Sequence, residues 1–169
     1  MTKIKRPIRI CGDVAYVPLT QGYEAIIDAS DVHLVDGFNW YAGLRGNLIY
    51  AVANKKIGIK STIVYLHRII MFGLGDFEVD HKDRDGLNNM RCNLREATKS
   101  QNMHNKKKSC NNKSGFKGVS FYKNSGKWVA RIKLNGNRTF LGYFASPEEA
   151  HAAYCVASRK LHGEFGRTE

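Results

Sequence analysis

Three short alternating runs closed by a helix-start signal constrain this chain more than any other feature. Gly118-Val119-Ser120-Phe121-Tyr122, Lys127 through Lys133 and Arg138 through Phe144 each alternate with period two. The segments between them, Asn124-Ser125-Gly126 and Asn135-Gly136-Asn137, are hairpin turns by composition, because Asn and Gly tolerate the positive φ that tight turns require. An antiparallel three-stranded sheet is expected. Ser146-Pro147-Glu148-Glu149 then supplies an N-cap, a proline at the first helical position and a glutamate at the third. The helix is expected to bury Ala150, Ala153, Tyr154, Ala157 and Leu161 and to close at Gly163. Phe121, Val129, Phe144 and Tyr154 are assigned to this core.

Upstream, the order reads strand, loop, helix. Phe77-Glu78-Val79-Asp80 forms a short strand ending at an acid, and Asp85-Gly86 supplies a turn. Thr98-Lys99-Ser100-Gln101 fits a capping box with Thr98 as N-cap, which puts Asn102 at the end of the first helical turn. The segment thus gathers Asp80, His81, Asn93 and Asn102. Mg²⁺ or Mn²⁺ takes hard oxygen ligands, and Asp80 and Asn102 suit that role. An imidazole next to such an ion can take a proton from water near neutral pH, which is the role expected of His81. His67, in apolar surroundings, reads as a structural or phosphate-side residue. His104, two residues past Asn102, faces another side of the helix and is a poor co-ligand.

The first third is β-rich. Ala15 to Leu19, Glu24 to Asp28, Tyr50 to Ala53 and Ile57 to Lys60 are short apolar or alternating runs, with a one-turn helix in Ser30 to Val35. Thr62 through Met71 is apolar enough for a buried helix, although its β-branched residues leave a strand as the rival at its start. Arg45, Lys55 and Lys56 are either DNA contacts or solvated loop charges. Residues 107–115 read as a basic tether following the candidate catalytic helix, and the adjoining run Lys106-Lys107-Lys108 is expected to track phosphates unless it is only a solvated face.

Composition narrows the partners. A 169-residue chain with 43% hydrophobic residues can fold, and a net charge of +12 suits a nucleic-acid binder. Most of that excess lies beyond residue 98. Cys11, Cys92, Cys110 and Cys155 show no Cys-x-x-Cys spacing, so no structural zinc is expected and a reducing cytoplasm, bacterial or phage-infected, is the simplest setting. No membrane-spanning stretch is present, and a monomer is expected.

Tyr65-Leu66-His67-Arg68, Val79-Asp80-His81-Lys82-Asp83, Leu87-Asn88-Asn89, Asn93-Leu94-Arg95 and Ser100-Gln101-Asn102 together resemble the HNH homing endonucleases of phages and mobile introns. The resemblance implies a ββα-metal core in which Asp80 and Asn102 hold one divalent ion and His81 activates water. It further implies that Asn93 braces the loop and orients His81, that Arg91 or Arg95 steadies phosphate, and that products carry 5′-phosphate and 3′-hydroxyl ends. Asn102 stands where the named motif has histidine, which leaves the preferred metal and the number of strands cut open. Phe116-Lys117-Gly118-Val119, Leu141-Gly142-Tyr143-Phe144 and Glu148 through Tyr154 resemble the Apetala-type DNA-binding domain of plant ethylene-response factors. That resemblance implies a sheet entering the major groove, with Lys117, Tyr122, Trp128, Arg131, Lys133 and Arg138 at the DNA. Ser120 and Tyr122 replace arginines of the plant pattern, and the alternation equally lets Trp128 share a core face with Ala130 and Ile132.

The resulting expectation is an α+β chain. A β-rich scaffold (1–60) precedes an HNH ββα-metal core (61–106), a basic linker (107–115) and a three-stranded sheet with one helix (116–169). Its expected function is metal-dependent hydrolysis of double-stranded DNA. A non-catalytic regulator retaining the nuclease fold and an RNA-binding protein are the rivals.

Overall fold

Alternation becomes sheet wherever one face can be buried. In Val14–Pro18 (β2) the side chains at Ala15 and Val17 are buried while their neighbours stay partly exposed, and Glu24–Asp28 (β3) repeats the pattern with Ala25 and Ile27. With Arg9–Cys11 (β1) they form an antiparallel sheet in the order β1-β2-β3. Ala29–Asp31 and Val32–Val35 (α1) follow as one tight turn and one helical turn, as expected. The computed structural model describes residues 6–73, 78–109, 111–134 and 136–168, except the side chain of Ile57. It divides into two compact units, Met1–Ala97 and Thr98–Glu169.

The first unit continues with Tyr41–Arg45 (β4), Leu48–Ile57 (β5) and Lys60–Tyr65 (β6), a second antiparallel sheet in that order. Two expectations change here. The run expected as one strand over Ile57 to Lys60 is instead a hairpin: Ile57 ends β5 opposite Lys60 at the start of β6, and Gly58 at φ +63° with Ile59 reverses the chain between them. The boundary expected after residue 60 therefore falls at a hairpin inside this unit. The segment from Thr62 is strand through Tyr65 and helix only over Leu66–Phe72 (α2), as its β-branched start allowed. Ala15, Val17, Ile27, Val35, Trp40, Ala51, Leu66 and Ile70 share one buried core with Val79 and Leu94. Those last two come from Val79–His81 (β7) and Leu94–Glu96 (β8), an antiparallel pair that ends the unit. Phe77, expected to open β7, lies outside the described residues.

Lys99–His104 (α3) opens the second unit with the expected capping box: Thr98 Oγ1 accepts from Gln101 N and Gln101 Oε1 accepts from Thr98 N. Val119–Tyr122 (β9), Lys127–Leu134 (β10) and Asn137–Phe144 (β11) form a sheet ordered β11-β10-β9, and Pro147–His162 (α4) follows. Asn135 and Cys110 lie outside the described residues. Gly118, at φ +76°, admits no side chain, because a Cβ there would collide with the Tyr154 ring.

The buried positions of α4 are Ala150, Tyr154, Ser158 and His162, a strict four-residue step, so Leu161 is left 37% exposed. Two polar residues tolerate that burial because they are bonded: His162 Nε2 meets the Lys133 carbonyl at 2.8 Å and its Nδ1 meets Ser158 Oγ at 3.4 Å. Phe121 also departs from expectation. It pairs with Trp128 but sits on the edge strand β9 and remains 50% exposed.

Candidate active site and nucleic-acid interface

Asp80 and His81 end β7, so the chain leaves them for the loop 82–93 and returns through β8. Register sets Asp80 opposite Arg95, and the carboxylate Oδ2 accepts from Arg95 Nη2 at 2.7 Å and Nε at 2.9 Å. Both side chains are largely buried. Arg95, expected to steady phosphate, is committed to this bidentate bond.

The loop is short of apolar residues and is held by amides and carboxylates. Asn93 Nδ2 donates to Asp83 Oδ1 at 2.9 Å and to the Asn88 carbonyl at 2.8 Å, while its Oδ1 accepts from Asp83 N at 3.0 Å. Burial pushes the Asp83 carboxyl up, but hydrogen bonds from the Asp85 amide, Asn93 and Asn88 together bring it below the usual range. Asn93 thus braces the loop as expected. The group in contact with His81 is Asn89, which the sequence reading did not single out.

Asn89 is fully buried and pinned at three points. Its N–H donates to the Ile26 carbonyl at 2.7 Å, its Nδ2 donates to the Leu87 carbonyl at 2.8 Å, and its Oδ1 lies 3.3 Å from His81 Nε2. Because Nδ2 is committed to Leu87, the oxygen must face the ring, and an amide oxygen only accepts. The hydrogen bond therefore assigns the proton to Nε2 and leaves the lone pair on Nδ1. Burial lowers the His81 pKa, against the opposing pull of Asn89, Asp83, Asp80 and Asp85, so the imidazole is neutral at pH 7. It is a base with a fixed tautomer.

Other residues wall this base. The Tyr50 ring lies 5.8 Å from that of His81, and His67 stands edge-on to it at 4.9 Å. His67 Nδ1 is buried without a hydrogen-bond partner. Burial, then the neighbouring His81 and Arg68, hold its pKa well below the usual histidine value. A Cβ on Gly86 would meet the Ile49 carbonyl and the Tyr50 ring, so only glycine lets the loop lie this close to β5.

Arg91 has a different task from the phosphate contact expected of it. Its Nε and Nη2 grip the buried Asp31 carboxylate at 2.9 Å each, Nη2 reaches the Ile70 carbonyl at 3.0 Å, and its N–H bonds Asp28 at 2.7 Å. It ties the loop to the end of β3.

Asn102 lies on α3, in the second unit, and is half-buried. Lys106, Lys107 and Lys108 follow it and are exposed. Lys117 is diverted from the expected DNA face, because its ammonium donates to the carbonyls of His104 at 2.6 Å and Lys106 at 2.8 Å, closing the end of α3.

On the second sheet, register separates two faces. Trp128, Ala130 and Val119 share the side packed against Ala150 of α4, so Trp128 belongs to the core. Arg131 pairs with Phe140 and Lys133 with Arg138, and Tyr143 lies beside Tyr122 at 5.9 Å on the same outer side. Arg131, Lys133 and Arg138 border a shallow cleft with Ser120. Phe140 (50% exposed) and Tyr143 (49% exposed) were missed in the sequence. The pairing skips Leu141 through a bulge between Ala130 and Arg131, and that shift, invisible in plain alternation, turns Phe140 outward.

Among the described residues no three His, Cys, Asp or Glu side chains gather as a metal cluster, and no helix is long and apolar enough to cross a membrane. A model of the AP2 domain matches residues 114–164. Over 147 residues, 86% of this chain and 74% of the relative, the sequence is 30% identical to an uncharacterized HNH endonuclease of Acanthamoeba polyphaga mimivirus. It is 33% identical over 93 residues to protein 3.8 of Escherichia phage T7, covering 54% of this chain and 74% of that one. An ethylene-responsive transcription factor of Arabidopsis thaliana is 46% identical over 50 residues, 28% of this chain and 27% of its own length. No solved structure matches.

A strand-end Asp-His pair under an amide-braced loop, followed by a basic antiparallel sheet backed by one helix, defines a two-part protein. The chain belongs to the HNH endonuclease family. Its residues 114–164 form an AP2 domain.

Proposed function

We propose that this chain is a metal-dependent endonuclease of the homing type that hydrolyses phosphodiester bonds in double-stranded DNA, with the AP2 domain reading the site. The observation that carries the reading is His81, a buried neutral imidazole beside Asp80 whose Nε2 is fixed by Asn89. A neutral imidazole in this position is suited to take a proton from the attacking water. Asp80 in the first unit offers a carboxylate and Asn102 in the second an amide oxygen, each the donor chemistry that Mg²⁺ or Mn²⁺ prefers and each a residue that would ligate such an ion. Bound there, the ion would stabilise charge on the phosphate and on the leaving oxygen. Arg95 orients the Asp80 carboxylate through two hydrogen bonds to Oδ2. The outer sheet face, with Arg131, Lys133, Arg138, Tyr122, Phe140 and Tyr143, supplies cations for phosphates and rings for bases. The viral sources of two relatives fit action inside an infected cell.

The test is incubation with supercoiled plasmid in Mg²⁺ or Mn²⁺ against a chelator, with His81→Ala alongside. Metal-dependent nicking or linearisation that falls at least about 100-fold in the variant is expected for a lost general base. Full activity in His81→Ala, or cleavage indifferent to chelator, would sink the mechanism. Tight duplex binding with no cleavage would make the chain a regulator.

A further inference from the structure

The helix that carries Asn102 has nothing of its own to hold it in place. α3 spans six residues, Lys99–His104, and none of them is buried. A helix that short falls well below the roughly 12 to 15 residues that an isolated helix needs in water, so its neighbours must hold it. The capping box at Thr98 orders only the first turn.

The other end is held by the AP2 domain. The His104 ring stacks on that of His162, the last residue of α4, with centroids 3.6 Å apart and planes 12° from parallel. The Lys117 ammonium donates to the His104 carbonyl at 2.6 Å, and Asn105, the C-cap of α3, is buried. The turn Gly163–Phe165 that follows α4 lies beside α3. His162 is itself fixed. A carbonyl only accepts, so His162 Nε2 donates to Lys133 O at 2.8 Å, and Nδ1 meets Ser158 Oγ at 3.4 Å, which together set the plane of the ring. Lys133 lies on β10, paired with Arg138 on the basic outer side of the sheet. One line of contacts therefore runs from the backbone of β10 through His162 and His104 to α3. Two residues turn an α-helix by about 200°, so Asn102 lies on the side of α3 away from that stack.

We propose that His104 and His162 are positioning residues for Asn102: their stack clamps the helix of this metal ligand to the AP2 sheet, so that metal ligation depends on the domain that reads DNA. The inference rests on the nuclease reading. Both rings act through α3 rather than on the ion, in the way that groups behind a ligand orient it. The division of the chain gives the clamp its consequence. Asp80 stands in the first unit with His81, and Asn102 stands in the second with the AP2 sheet. An ion held by both needs α3 in register with the sheet, which ties cleavage to an intact and engaged AP2 domain.

The experiment uses the full chain with His104→Ala, which removes the stack but leaves His162 on Lys133, and with His104→Phe, which keeps a flat ring in its place. Amide hydrogen exchange is read first, without metal or DNA. The Asn102 and Asn105 amides bond the Thr98 and Gln101 carbonyls. Both should exchange about tenfold faster or more in His104→Ala, with β10 and β11 unchanged, and near the parent rate in His104→Phe. Mn²⁺ binding to the chain on a 40-base-pair duplex is then read by electron paramagnetic resonance, in a His81→Ala background that leaves the duplex whole. His104→Ala should bind Mn²⁺ about tenfold more weakly, and His104→Phe should restore the parent affinity. With His81 intact, the Mn²⁺ needed for half-maximal plasmid cleavage should rise by the same factor, kcat at saturating Mn²⁺ staying within about twofold and duplex affinity in chelator unchanged. A merely structural role would instead lower duplex affinity and kcat together. Unchanged α3 exchange, exchange rising alike through β10 and α4, or an unmoved Mn²⁺ affinity would overturn the proposal. If exchange and Mn²⁺ binding change as expected while the parent chain never cuts, the clamp stands and the nuclease reading fails; if the parent cuts in Mn²⁺ and His104→Ala alters neither, the reverse holds.

Discussion

Asn89→Asp replaces the buried amide that faces His81 by an acid of the same shape. The oxygen stays 3.3 Å from Nε2, and a carboxylate there attracts the imidazolium with about 5 kcal/mol at an effective dielectric of 20. Ionising a fully buried carboxylate that also keeps the Leu87 carbonyl as a neighbour costs several kcal/mol, so most of that attraction is offset. A net gain of about 1.4 to 2.8 kcal/mol raises the His81 pKa by about 1 to 2 units. The sign follows from the role of the ring. Cleavage needs His81 neutral, and in the parent protein burial lowers its pKa, so the acid limb of the pH-rate profile lies below the ordinary value of 6.5. In the variant the limb moves to higher pH, by the same 1 to 2 units, while activity at pH 9 is largely retained. The assay is single-turnover cleavage of plasmid from pH 5 to 9. An acid limb at the same pH in both proteins would refute the argument that Asn89 governs His81.

Two further substitutions separate structural from DNA-facing residues. Arg91→Ala strands the Asp31 carboxylate, which is 5% exposed, and should destabilise the first unit by about 2 kcal/mol, a value discounted from the fully buried case because Arg91 is itself half exposed. Thermal unfolding should reveal the loss, with duplex affinity of the folded protein unchanged; a fall in affinity without a fall in stability would restore Arg91 to the phosphate. Trp128→Ala should unfold or loosen the AP2 domain by about 3 to 5 kcal/mol, whereas Phe140→Ala and Tyr143→Ala should leave denaturation midpoints nearly unmoved and weaken duplex binding about tenfold each. Equal stability losses in all three variants would contradict the two-faced sheet.

Local chemistry was legible in the chain. The capping box at Thr98, the proline-led start of α4, the hairpins of the second sheet and the Asp80-His81 strand end each depend on residues within four or five positions of one another, so spacing alone specifies them. Tertiary structure decided which polar groups were already spoken for. Asn89, not Asn93, touches His81 because the Ile26 backbone, more than sixty residues upstream, draws the loop in through hydrogen bonds on both sides of Asn88. Arg91 is lost to Asp31 and Lys117 to the end of α3 for the same reason: a long cation binds the nearest buried carboxylate or unpaired carbonyl, and only the folded chain brings these within reach. The sequence determines which chemistry is carried, because residue type and short spacing are local. The fold decides which of two like residues performs it, because burial and hydrogen-bond partners are set by segments distant in the chain.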